Sequence, residues 1–129
     1  MKIDNQLLDI LFDQAKASHR LRQSYDLRTS SASSSQRMLN ALLPGTQVAI
    51  HKHPDSSENV ICLCGRIDEI FYNEDGTQEV ERIHMCPTEG NNGCTVPASV
   101  WHTVEVFEPS LIYEGKDGKY GEDGSIVIQ

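Results

Sequence analysis

Residues Gly45 to Gly65 read G-T-Q-V-A-I-H-K-H-P-D-S-S-E-N-V-I-C-L-C-G, and this stretch decides the fold. His51, His53 and Glu58 can each bind a metal ion. The two histidines are two residues apart, so on a strand both imidazoles leave the same face. Their Cα atoms would then sit roughly 6.7 Å apart, a gap that two imidazoles close onto one ion at about 2.1 Å. Pro54 cannot donate to a ladder, so the strand should stop there. Asp55, Ser56 and Ser57 are turn formers. They return the chain so that Glu58 opens the next strand beside the histidines. Gly45 and Gly65 bracket the unit.

Upstream, residues 4–17 read as an amphipathic helix, with Leu7, Leu8, Leu11 and Ala15 on one face and Asp4 or Asn5 as cap. Such a helix must pack its apolar stripe on the body of the protein. His19 falls just after its last turn, where a cation suits the dipole. Arg20, Arg22, Arg28 and Arg37 follow in an otherwise acidic chain. Arginine suits bidentate capture of carboxylate or phosphate. The same four would serve equally as surface pairs for the surplus Asp and Glu. The run from Thr29 to Ser35 is polar, without core-forming residues, and has the composition of a loop or lid.

From Met38 the pattern turns to β. Expected strands cover 38–43, 47–53, 58–64, 66–73 and 77–85. The last two form a hairpin about Glu74-Asp75-Gly76. A loop at 86–93 and a short strand at 94–96 come next. Strands at 101–107 and 111–114 follow, split by Glu108-Pro109-Ser110. Ile126-Val127-Ile128 offers a final edge strand after a glycine-rich tail. Many short strands separated by turn signals predict a mostly β sandwich or barrel. Trp101 precedes His102, so it should point away from the pocket, toward the helix or a partner subunit. Tyr113, Glu114 and Tyr120 are candidates to reach the pocket. His84 has no ligand-like neighbour and reads as exposed.

The chain has 129 residues, a formal charge of −8 and a pI near 5.0. That length fits one domain with one core, here residues 1–28 as helix and arm and 29–129 as barrel. The acidic balance argues against a nucleic-acid partner. The polar start and the lack of long apolar runs predict neither a signal segment nor a membrane span, hence a cytoplasmic protein. Cys62, Cys64, Cys86 and Cys94 show no C-x-x-C spacing. Cys62 and Cys64 share a strand face with Glu58 by period two. They read as small hydrophobes lining a pocket, with soft metal ligation as the alternative. No G-x-S-x-G elbow is present, so metal chemistry is favoured over covalent catalysis.

The spacing G-x5-H-x-H-x4-E-x6-G resembles the first signature of the cupin superfamily. A second signature, G-x5-P-x-G-x2-H-x3-N, is matched at Pro97 and His102. Asn91, Ser99 and Val106 stand where it has Gly, Gly and Asn. The resemblance implies a mostly β cupin jelly-roll barrel with an N-terminal α-helix. It also implies that His51, His53, Glu58 and His102 hold one divalent metal ion. Mixed N/O ligands fit Fe, Mn, Ni, Co or Zn and do not rank them. The wider chain is similar to the WbuC-type cupin-fold metalloproteins in Arg20-Leu21-Arg22, Gln36-Arg37-Met38-Leu39, Trp101-His102-Thr103 and Tyr113-Glu114-Gly115-Lys116. That branch implies a role beside surface-polysaccharide synthesis. The expected ligand is a small polar or anionic molecule such as a sugar or nucleotide-sugar, contacted by Arg20, Arg22, Arg37, Tyr113 and Glu114. The expected chemistry is isomerisation, epimerisation or oxygenation at an open-coordination metal. A non-catalytic binding or structural module is the alternative. A homodimer is the expected assembly.

Overall fold

Asp4 starts the first element by accepting a hydrogen bond from the Leu7 amide at 3.1 Å. A computed structural model describes residues 1–119 and 124–128. Helix α1 spans Asn5–Ala17 and ends at Ser18, whose N–H bonds back to Ala15 O. A 13-residue helix is marginal alone. It is held by burying Leu11 and Ala15 against Leu39, Ala41, Leu43 and Leu111. No helix among the described residues is long and apolar enough to cross a membrane.

The sheet is antiparallel throughout and curls on itself. Strand β1 (Arg22–Asp26) pairs with β2 (Ser35–Leu42), and β2 pairs with β7 (His102–Asp117). Strand β7 pairs along its other edge with β4 (Glu58–Tyr72) and at its start with β3 (His51–Lys52). Strand β4 also takes β5 (Glu79–Met85) and β6 (Gly93–Val96), while β3 takes β8 (Ile126–Val127). A short 3-10 turn at Pro87–Glu89 joins β5 to β6. Leu42, Val60, Ile67, Phe71, Val106 and Ile112 belong to the inner core. The helix covers the opposite face of β2 and β7. This is a mostly β barrel with an N-terminal helix.

Several boundaries differ from the sequence reading. Strands expected to break at Gly65 and at Glu108-Pro109-Ser110 instead run through as β4 and β7. The two breakers face each other across a region of register shifts, where neither Gly65 nor Pro109 has a ladder partner. A proline there forfeits no ladder bond. Gly65 has φ +104°, and a Cβ on it would lie 2.5 Å from Pro109 O. The strand expected over 47–53 shrinks to His51–Lys52. The carbonyls before it bond elsewhere: Arg22 donates to Gln47 O, Thr103 Oγ1 to Val48 O, and the Ile128 amide to Ile50 O. Strand β1, read as part of an arm, lacks apolar alternation and forms by pairing with the edge of β2.

Candidate metal centre

His51 and His102 are direct partners in the β3–β7 register. His53 lies two residues on, just past the end of β3. Their ring centroids are 4.2 Å apart for His51–His102, 5.1 Å for His51–His53 and 5.2 Å for His53–His102. One donor nitrogen from each lies within 4.8 Å of the others. Ser99 fixes the loop that delivers His102. It stands where the second cupin signature has glycine, and it adopts the left-handed φ of +62°. Its amide donates to His53 O at 2.8 Å and its hydroxyl to Pro54 O at 2.9 Å. The two histidine-bearing segments are therefore clipped together.

The ring hydrogen bonds set the tautomers. His51 Nδ1 lies 2.8 Å from Ala49 O, and His102 Nδ1 lies 2.8 Å from Val100 O. A carbonyl only accepts, so each Nδ1 carries the proton and each Nε2 presents a lone pair. His102 Nε2 is buried with no hydrogen-bond partner among the described residues. Burial, with help from the neighbouring His51 and His53, holds the His102 imidazole down at about 3, so it stays neutral. A neutral imidazole with an inward lone pair is what a metal requires. His53 Nδ1 is 2.7 Å from Ser125 Oγ, and its Nε2 is 3.5 Å from Glu58 Oε2.

Carboxylates complete the cluster. Glu58, the first residue of β4, is buried. Burial pushes its carboxyl up to about 10, with Glu114 and Glu69 adding and Lys116 opposing. Glu69 is also buried, and desolvation with the charge of Glu114 pushes it well above the usual carboxylate range. Donor atoms of Glu58, Glu69 and His102 lie within 4.8 Å of one another. The Asn40 amide donates to Glu114. The residues present therefore fit a divalent cation, which would relieve the crowding of buried acids that otherwise must hold protons.

The cluster faces a cavity of about 740 Å³. Of the predicted contact residues, Arg20, Arg22 and Glu114 line it, as do Gln36 and Asn40. Arg37 and Tyr113 do not. Arg37 alternates with the inward Gln36 and Met38, so it projects outward near Asp26. Tyr113 packs with the helix-side core. Arg28 pairs with Asp26 at 2.7 Å. Tyr120 falls outside the described residues.

Three further expectations are corrected. Trp101 packs not on the helix but on the β4–β5 turn. There its indole donates to Glu74 O at 3.0 Å, and Lys52 sits over the ring. His84 is not simply exposed: its Nδ1 is 2.6 Å from Asp68, and Arg66 donates to its Nε2 at 3.1 Å. Cys64 does not share a face with Glu58. Cys62 lies in the inner core and Cys64 against the helix side, because the register shifts between them. No described cysteine lines the cavity.

Residues 3–85 match the family described as a domain of unknown function, DUF6016. That is more than half of the chain, and the protein belongs to this family. No curated protein matches. Solved structures with the same fold include oxalate oxidase in complex with the substrate analogue glycolate (10% identity, TM-score 0.61, 87% of this chain and 57% of that one). The capsular polysaccharide assembling protein CapF from Staphylococcus aureus is similar at 11% identity and TM-score 0.63, over 78% of this chain and 30% of that one. Peruvianin-I, a cysteine peptidase from Thevetia peruviana latex, is similar at 21% identity and TM-score 0.55, over 74% of this chain and 56% of that one. The chain thus spans less than two thirds of each of these proteins, and the likeness extends to the cupin fold alone.

Proposed function

We propose that this chain is a metal-dependent cupin whose cavity takes a small polar or anionic molecule. The observation that carries the reading is the pair of fixed tautomers: His51 and His102 spend Nδ1 on carbonyls, which leaves each Nε2 a lone pair, in a triangle with His53 whose donor nitrogens lie within 4.8 Å of one another. In this reading His51, His53, His102 and Glu58 hold one divalent ion of Fe, Mn, Ni, Co or Zn. When bound, such an ion supplies Lewis-acid polarisation of a carbonyl or hydroxyl oxygen. The rest falls to the chain. Arg20 and Arg22 line the cavity, and their planar guanidinium groups suit a carboxylate or phosphate. Gln36 and Asn40 orient polar groups. Glu114, hydrogen-bonded to Glu58, is placed to hold or pass a proton.

A sugar or nucleotide-sugar is the substrate class we favour, with isomerisation or epimerisation ahead of oxygenation. Kinship with the WbuC-type branch, and a role in surface-polysaccharide synthesis, are part of this proposal. The fold shared with a capsular polysaccharide assembling protein supports it. The test is metal analysis of protein purified without added metal or chelator. About one ion per chain is expected, and far less overturns the reading. His51→Ala should keep the fold and lose the ion. A thermal-shift screen of sugars and sugar nucleotides, with and without metal, then finds the ligand. Binding without turnover would make the chain a binding module instead.

A further inference from the structure

We propose that Glu69 is a fifth protein donor to the ion held by His51, His53, His102 and Glu58, so that the centre carries two carboxylates. The inference rests on the metal reading above and deepens it. Glu69 projects from the inward face of β4, midway between the core residues Ile67 and Phe71. Only 2% of its surface is exposed. Its Oε2 is buried with no hydrogen-bond partner among the described residues. A donor oxygen lies within 4.8 Å of those of Glu58 and His102, and His102 also belongs to the triangle of histidines. The two sets of donors share His102, which puts the Glu58–Glu69 pair directly beside the histidine triangle.

Charge argues in the same direction. Acidic side chains are almost never fully buried unless paired. Glu69 shares its pocket with Glu58 and Glu114, while the cation Lys116 acts on Glu58. A divalent ion matched by two carboxylates leaves a neutral centre. With Glu58 alone the centre would keep a net positive charge. A neutral centre exerts little pull of its own on an anion, so that attraction passes to Arg20 and Arg22. Five protein donors also leave one position fewer, and a ligand then reaches the ion through a single atom.

The test is the number of waters on Mn(II) bound to the full chain, read by water-proton relaxation and pulsed electron paramagnetic resonance. On an octahedral ion, five protein donors leave a single water and four leave two. The wild-type protein is expected to show one. Glu69→Gln is expected to show two, and to weaken Mn(II) binding by at least about tenfold. Two waters on the wild type, or a Glu69→Gln variant with unchanged affinity and water number, overturns the fifth donor and leaves the four-ligand site standing. Failure of the wild type to bind Mn(II), Fe(II), Co(II), Ni(II) or Zn(II) overturns both. Should Glu69→Gln not fold, the wild-type water count alone decides.

Discussion

Ser99 shows how one residue holds the site together. Its φ of +62° is uncommon for a side chain other than glycine. It is retained because the amide and hydroxyl both bond the His53-Pro54 segment. Ser99→Ala keeps the strained backbone and loses the hydroxyl bond. It should cost about 1 kcal/mol in denaturant unfolding. Ser99→Gly loses the same bond but relieves the backbone, and should stay within about 0.5 kcal/mol of wild type. Equal losses in the two variants would mean that the backbone conformation carries no strain. In sequence, Ser99 read as a departure from the expected glycine; the hydrogen bonds that make the departure workable run to residues more than 40 positions away and leave no local trace.

At the level of elements, the long strand β4 governs what can and cannot be read. Glu58, Val60 and Cys62 face inward at even positions, whereas Ile67, Glu69 and Phe71 face inward at odd ones. The register shifts around Gly65 reverse the alternation. The pattern of His51, His53 and Glu58 was legible because a proline turn and period two act over eight residues with no bulge between. Glu69 was not, because counting from Glu58 by twos puts Asp68 inside. Asp68 instead meets His84 and Arg82 on the other face. The one available signal was an acid midway between Ile67 and Phe71. Arg37 failed for a related reason: motif proximity does not say which face of β2 a residue takes. The bulge itself is testable. Gly65→Ala would place a Cβ 2.5 Å from Pro109 O and 2.6 Å from Ser110 Cα at φ +104°. It should cost about 3 kcal/mol or more in thermal or denaturant unfolding.

Across the whole molecule, the buried ionisable groups set how stability of the metal-free protein follows pH. Glu58 is raised from 4.5 to about 10 on folding. Its contribution is therefore complete below about pH 4.5 and is lost as pH rises toward 10. His102 is lowered from 6.5 to about 3. Its contribution is complete above about pH 6.5 and is lost as pH falls toward 3. The two slopes oppose each other between 4.5 and 6.5. Glu69 is raised in the same direction as Glu58 and adds to the alkaline decline, so the melting temperature of the metal-free chain should peak near pH 4.5 and decline on both sides, more steeply above pH 6.5. Bound metal needs Glu58 ionised and the imidazoles neutral, so adding it should flatten the alkaline decline. A metal-free melting temperature that climbs steadily from pH 6.5 to 9 would contradict this. Finally, Ser125 touches His53, and the adjoining residues Ile126 and Val127 lie along Lys52 and His51. With an ion held by His53 as proposed, seating that C-terminal segment and filling the centre become reciprocal events. Whatever peels the segment away also loosens the grip on cargo, and cargo in turn fastens the segment down.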